Sequence, residues 1–368
     1  ASTNTADLTI GAVTGGSNTL TLSTENNIAN ADITASGAIS GVTTLTISNA
    51  GGTTTLSGDV DVTTLTIGNT VANVAINGDG STVTNDIDFA NDGTLQLGDA
   101  TGDTLTFNGG LDTSDVGGTV TLNGTIDTSN DAITFGAVTL GSATTIDTNA
   151  TNTTGDLTIG AVTGGSNNLT LTTGDNVANA DITASGAISG LGNLTLADVG
   201  GTATFSANVA AAALSADSTV ANLVFTGASN TFSAASTLAN DGTLQFGDAT
   251  GDSFTFNGGL TTTSVGSTVT LNGTIATSND AIVLGAITLG CATEILTDAS
   301  SNAGDITIAA ITVNATSLTN FGLASCSIPW KSSTAVLVPS NAAIIVQRLS
   351  WDEVRLSTLT EPSLIVAG

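Results

Sequence analysis

ANDGTLQLGDATGD, residues 90–103, returns as ANDGTLQFGDATGD at residues 239–252. The copies stand 149 residues apart, and the offset holds well beyond them. TGGSNTLTL (14–22) becomes TGGSNNLTL (163–171), ANADITASGAISG (29–41) recurs unchanged at 178–190, and TVTLNGTIDTSNDAI (119–133) becomes TVTLNGTIATSNDAI (268–282). GDLTIGAVT (155–163) then starts again as GDITIAAIT (304–312) before the pattern fades. A fixed internal period decides the architecture before any local propensity does. The reading is two full copies, 5–153 and 154–302, a partial third over 303–322, and a different text over 323–368.

Inside each copy runs a shorter beat. DLTIGAVT, NTLTLST, TTLTISN, GTLQLGD, DTLTFNG and GTVTLNG alternate an apolar residue with Thr or Ser. Period-2 alternation is the mark of a strand with one buried face, and Thr and branched aliphatics suit a pleated surface. Gly, Asn and Asp interrupt the runs with turn chemistry. No window has helical periodicity; NVAAAALSA (208–216) stands where the first copy has DVDVTTLTI (59–67), so it reads as strand by register. Strand after similar strand is what a solenoid requires, because each coil stacks on the last and buries the same stripe. The expected fold is all-β, a right-handed parallel β-solenoid of 1–322 with a short C-terminal β segment. Coils of roughly 20–25 residues stacked about 4.8 Å apart would number about 13–16. Leu8, Ile10, Leu20, Leu22, Leu45, Ile47, Leu65, Ile67, Leu95, Leu97, Leu105, Phe107, Val120 and Leu122 are expected to point inward, with the intervening Thr outward.

Composition narrows the function. Thirty-one acidic residues against 3 basic ones give a net charge of −28, with no His, Met or Tyr. Nucleic-acid binding needs Lys and Arg to displace phosphate counterions, so that class is excluded. Steady Leu, Ile and Val argue against disorder, and no apolar run is long enough for a membrane-spanning helix. The opening ASTNTADL, without Met, reads as a processed N-terminus or an excised segment. The rod is expected to be non-catalytic: it lacks His, the commonest general base, and has no Lys before Lys331. The NTD, DD and GHG strings of pectin-hydrolase-like helices do not occur.

Several residues still invite a ligand. GDATGD places Asp99 with Asp103, and Asp248 with Asp252, where turn carbonyls could complete an oxygen-rich calcium site; the alternative is Asp as a turn former. NGDGST (77–82) is a further candidate, but its counterpart TGASNT (226–231) has lost the acid. Cys291 replaces the first copy's Ser142, and with Cys326 it lies near the end of the repeat, so a stapling disulfide and an oxidising compartment are expected. Outward Thr could order ice-like water, but Asn, Asp and Ser interrupt it. The Asn-X-Thr sequons follow from a chain rich in both residues.

Residues 323–368 hold all three prolines, both tryptophans and all three basic residues. Trp330, Lys331, Arg348, Trp351 and Arg355 are candidates for subunit docking: Trp and Arg are types enriched at binding hot spots, and the cations suit an acidic rod. The segment is expected either to cap its own solenoid end or to dock on the next copy; a head-to-tail contact that does not close makes a filament.

DLTIGAVTGGSNTLTL, ADITASGAISG and GTVTLNGTI resemble the β-strand repeats of large prokaryotic surface proteins: filamentous-haemagglutinin-like adhesins, autotransporter passengers and S-layer-like proteins. The resemblance covers residues 5–322 and implies a secreted, non-catalytic, elongated element at the cell surface. It leads to two expectations. One is an extracellular subunit that polymerises with copies of itself. The other is a monomeric adhesin stalk that binds a cell-surface glycan.

Overall fold

The computed structural model describes residues 6–25, 28–151, 155–174, 177–298 and 304–313, together with the backbone of three strands at Cys326–Ile328, Ala343–Ser350 and Glu353–Leu359. The described secondary structure is β throughout, and the strands of the repeat pair in parallel. The fold is a parallel β-solenoid. The chain divides into a unit ending at Ser206 and one beginning at Ala207, inside the second copy rather than at its edge. The expected boundary at 322/323 lies outside the described residues.

In the first unit each coil has three faces. Along the first face the inward ladder reads Leu8, Ile33, Thr54, Val74, Leu95, Val120, Val138, Val162 and Ile188. Along the second it reads Val13, Ile39, Val60, then Leu105, Ile126, Ile146, Leu171 and Leu196. The third carries Leu20, Leu45 and Leu65 at its start and Leu111, Ile133, Leu157, Ile182 and Ala203 further on. The step between coils ranges from 18 residues (Val120 to Val138) to 26 (Val162 to Ile188). Corner loops absorb part of the difference, and bulges within the strands, as between Leu122 and Gly124, take the rest.

This geometry shows how the 149-residue text maps onto the coil. Leu8 lies on the first face, whereas its counterpart Leu157 lies on the third face of the seventh coil. The block is therefore six coils and two further faces long, not a whole number of coils. Val13 and Leu20 shift in the same sense: Val162 is on the first face and Leu169 on the second.

Inward alternation builds the core. Leu45, Ile47, Leu97, Leu105, Leu122, Leu157 and Ile182 are fully buried, and each such side chain contributes about 1.5–3 kcal/mol of burial. The second unit keeps the pairing pattern but changes the filling. Ile76, Val83, Leu97 and Leu105 become Phe225, Phe232, Phe246 and Phe254, beside Phe256. Phe232 stacks on Phe256 at 4.9 Å between centroids, and Phe246 contacts Phe254 at 5.1 Å. The strand Val209–Ala216 contains most of NVAAAALSA, as register predicted.

The abundance of Asn, Asp and Thr is explained at the corners. Asp32 Oδ1 accepts the Thr53 N–H of the next coil at 2.7 Å, and Asp181 does the same for Thr202 at 2.7 Å. Asn73 Oδ1 accepts both the N–H and Oγ1 of Thr94, each at 3.0 Å, and Asn222 repeats this on Thr243. Asn30, Asn130, Asn179 and Asn279 take positive φ, which Asn tolerates better than most residues. The interior holds one interchange of polar groups. Ser81 Oγ accepts from Val60 N and donates to Gly78 O; its counterpart Asn230 accepts from Val209 N and donates to Gly227 O.

Not every Thr points outward. Thr54, Thr113 and Thr262 are buried at 0%, 1% and 0% exposure, and their Oγ1 atoms have no hydrogen-bond partner. Thr54 takes an inward place between Ile33 and Val74 because TTTL puts it two residues before the inward Leu56.

Candidate functional site

The feature that distinguishes one region from the rest is the coil end. DLTIGAV occurs at 7–13 and 156–162, and as DITIAAI at 305–311, so one text can be compared in three settings. In the middle setting a coil lies on each side, and Leu157, Ile159 and Val162 are 0%, 0% and 1% exposed. In the first setting Leu8, Ile10 and Val13 are only half-buried, as is Leu20, whose counterpart Leu169 is fully buried. Leu8, Ile10 and Leu20 hold the inward ladder positions expected of them. Burial in a solenoid is completed by the neighbouring coils, and among the described residues only one lies beside them. In the third setting Ile306 is buried while Ile308 and Ile311 are half-buried.

Backbone pairing matches the side chains. Strand Leu8–Ile10 pairs with Ile33–Ala35, with Leu8 N donating to Asp32 O at 2.8 Å and Ser36 N to Ile10 O at 3.0 Å. Strand Ile306–Val313 pairs with Ile282–Leu296. Among the described residues Leu8–Ile10 has no ladder partner on its other edge, and such an edge is a template for another strand. The first coil is held firmly on the second: a Cβ on Gly15 would come within 2.6 Å of Val42 Cγ2, so only glycine fits there.

The expected site residues are placed as follows. In GDATGD, Asp103 is 7% exposed and its Oδ2 accepts the N–H groups of Asp99 and Ala100 at 2.6 and 2.8 Å. Asp252 repeats this with Asp248 and Ala249 at 2.8 and 2.9 Å. The second carboxylate of each motif thus closes its own turn, and Asp99 and Asp248 stay at the surface. Among the described residues no group of three or more metal-ligating side chains forms. Cys291 is half-buried, and burial is the first cause that raises the pKa of its thiol. The side chain of Cys326 lies outside the described residues, so the staple between them stays an expectation. Trp330, Lys331 and Trp351 are likewise outside them, and of Arg348 and Arg355 only the backbone is described, in an antiparallel three-stranded sheet.

Charge collects where sequence spacing did not reveal it. Asp127 and Asp147 are cross-strand neighbours on consecutive coils. Burial pushes the Asp127 carboxyl up, a hydrogen bond from Thr106 lowers it in part, and Asp147 raises it further. Asp88 beside Asp112 is raised the same way, by desolvation and then by Asp112 and Asp115.

No family model matches the chain, and neither the curated proteins nor the solved structures contain a match.

Proposed function

We propose that the chain is a non-catalytic structural subunit of an extracellular fibre, joined head to tail by continuation of its parallel ladders. The observation that carries the reading is the uniform parallel ladder, in which each internal coil buries the same inward stripe against its neighbours, as at Leu157, Ile159 and Val162. A coil of a second molecule stacked on such a ladder would bury the same stripe and continue the same strand pairing. The ladders need no new chemistry for this, because every internal coil already makes the same contact. Contacts of this kind do not close on themselves and generate filaments. Resemblance to prokaryotic surface repeats and the strong acidity, which favours solubility outside the fibre axis, support a cell-surface location.

The test is electron microscopy and sedimentation of purified protein, with Leu8→Asp and Ile10→Asp as variants. Concentration-dependent fibres that both substitutions suppress are expected. A wild-type protein that stays monomeric at every concentration overturns the reading. So do fibres that form equally well with charges buried in the first coil.

A further inference from the structure

The flank of the first unit carries a groove of about 380 Å³ that owes nothing to the stacking ends. Its wall is a bulge. Thr14 pairs with Ser40 and Asn18 with Val42, so Gly15–Ser17 stand opposite the single residue Gly41. Gly16, Ser17 and Gly41 take φ of 58°, 65° and 63°, and Asn18 Nδ2 closes the ledge on Gly15 O at 2.8 Å. Beneath the ledge, successive coils present Thr43, then Asp61 and Thr63, then Thr82 and Thr84, with Val42 and Val62 at the floor.

These polar groups are unspent. Elsewhere the corner Asp and Asn side chains bind backbone N–H groups of a neighbouring coil. Among the described residues, the side chains of Ser17, Thr43, Asp61, Thr63 and Thr84 make no hydrogen bond within the protein, and all five are exposed. The groove therefore offers hydroxyls that donate and accept, one carboxylate that accepts, and an apolar floor. No Lys or Arg precedes residue 331, so nothing on the groove can balance an anion. The groove therefore disfavours an anion, its row of hydroxyls suits a ligand rich in hydroxyls, and its volume suits a small one, given that ligand pockets begin at about 300 Å³.

We propose that this groove binds a neutral saccharide, with Asp61 accepting from sugar hydroxyls, the threonines donating and accepting, and Val42 and Val62 facing the C–H surface of the ring. The second copy keeps the ledge residues as Gly164, Gly165 and Ser166 but replaces Thr43, Asp61 and Thr63 with Gly192, Ala210 and Ala212. The same block thus carries the polar set in one copy only. The proposal is independent of fibre assembly, since it concerns the flank and not the coil end.

The experiment is an NMR titration of the full chain with maltose, cellobiose and diacetylchitobiose, and separately with calcium alone. Saturable shifts confined to the amides of 41–43, 61–63 and 82–84 are expected with at least one sugar. Asp61→Ala combined with Thr63→Ala, which installs the second copy's own residues, should weaken that sugar by about tenfold or more, the loss of a charged hydrogen-bond partner. The melting temperature of the double variant reports its fold, and the wild-type shift map locates the site without it. Three results overturn the proposal: no neutral sugar saturates, the shifts map elsewhere, or calcium alone moves these amides while sugars do not.

Discussion

Replacing Thr54 with Val should stabilise the protein. Thr54 is wholly buried in the inward ladder between Ile33 and Val74, themselves 0% and 1% exposed, and its hydroxyl has no partner. An unsatisfied buried hydroxyl costs about 1–3 kcal/mol. Valine keeps the shape and the β-branch, so packing volume and strand preference change little. A methyl in place of the hydroxyl also adds apolar contact with Ile33 and Val74. The net gain is about 1–2 kcal/mol. Thr54→Ala is the control: it removes the hydroxyl but also a methyl group worth about 0.8 kcal/mol of burial or more, so it should be near neutral. The second copy already holds Ala203 at this position, fully buried. Because repeat arrays do not always unfold in one step, denaturant midpoints should be paired with hydrogen-exchange protection of the amides at 54–56 and 74–76. A loss of more than about 1 kcal/mol on Thr54→Val would refute the reasoning, since it would mean the hydroxyl is bonded in solution.

Other expectations can be checked by melting or denaturation. Gly124 has φ of 68°, and a Cβ there would fall on the Asp103 carbonyl oxygen; Gly124→Ala should cost about 2 kcal/mol or more. Gly102, around which a Cβ meets nothing within 4 Å, should accept Ala almost without cost. Asp103→Ala removes the acceptor for two N–H groups and should destabilise by about 1–3 kcal/mol, with Asp103→Asn recovering part of it. A calcium chelator should leave the melting temperature of the wild type unchanged, because the turn's own amides occupy Asp103 Oδ2. Burial, then Asp147, raises the Asp127 pKa above its value of 3.8 in an unfolded chain. The folded state therefore holds the proton more tightly. This contribution is full below that unfolded value and is lost as pH rises through the folded pKa. Asp127→Asn should flatten that acid limb of melting temperature against pH; an unchanged limb would assign it to other carboxylates.

Much of the fold was legible because its cause is local. Alternation in DLTIGAVT or GTVTLNGTI places Leu157, Ile159, Val120 and Leu122 inside, and the repeat offset identifies 209–216 as strand although five of its eight residues are alanine. What escaped is set between coils. Thr54 reads as an outward Thr until its ladder is known. Leu8 reads as core, yet with one coil beside it among the described residues it is only half-buried. The role of Asp103 needed the turn closed around it, since GDATGD suits a turn acceptor and a cation ligand equally well. The groove was the least legible, because Ser17, Thr43, Asp61 and Thr82 come from four coils and meet only after stacking.

The fractional length of the duplicated block changes what duplication supplies. Had it been a whole number of coils, the text of residues 8–56 would reappear directly below itself at 157–205. Because it overshoots by two faces, the same text in the first unit looks out at two bearings, a third of a turn apart. An antibody raised against the block would approach that unit from two sides. Copying a gene segment here multiplies directions of approach, where a block of whole coils would have multiplied sites along a single wall.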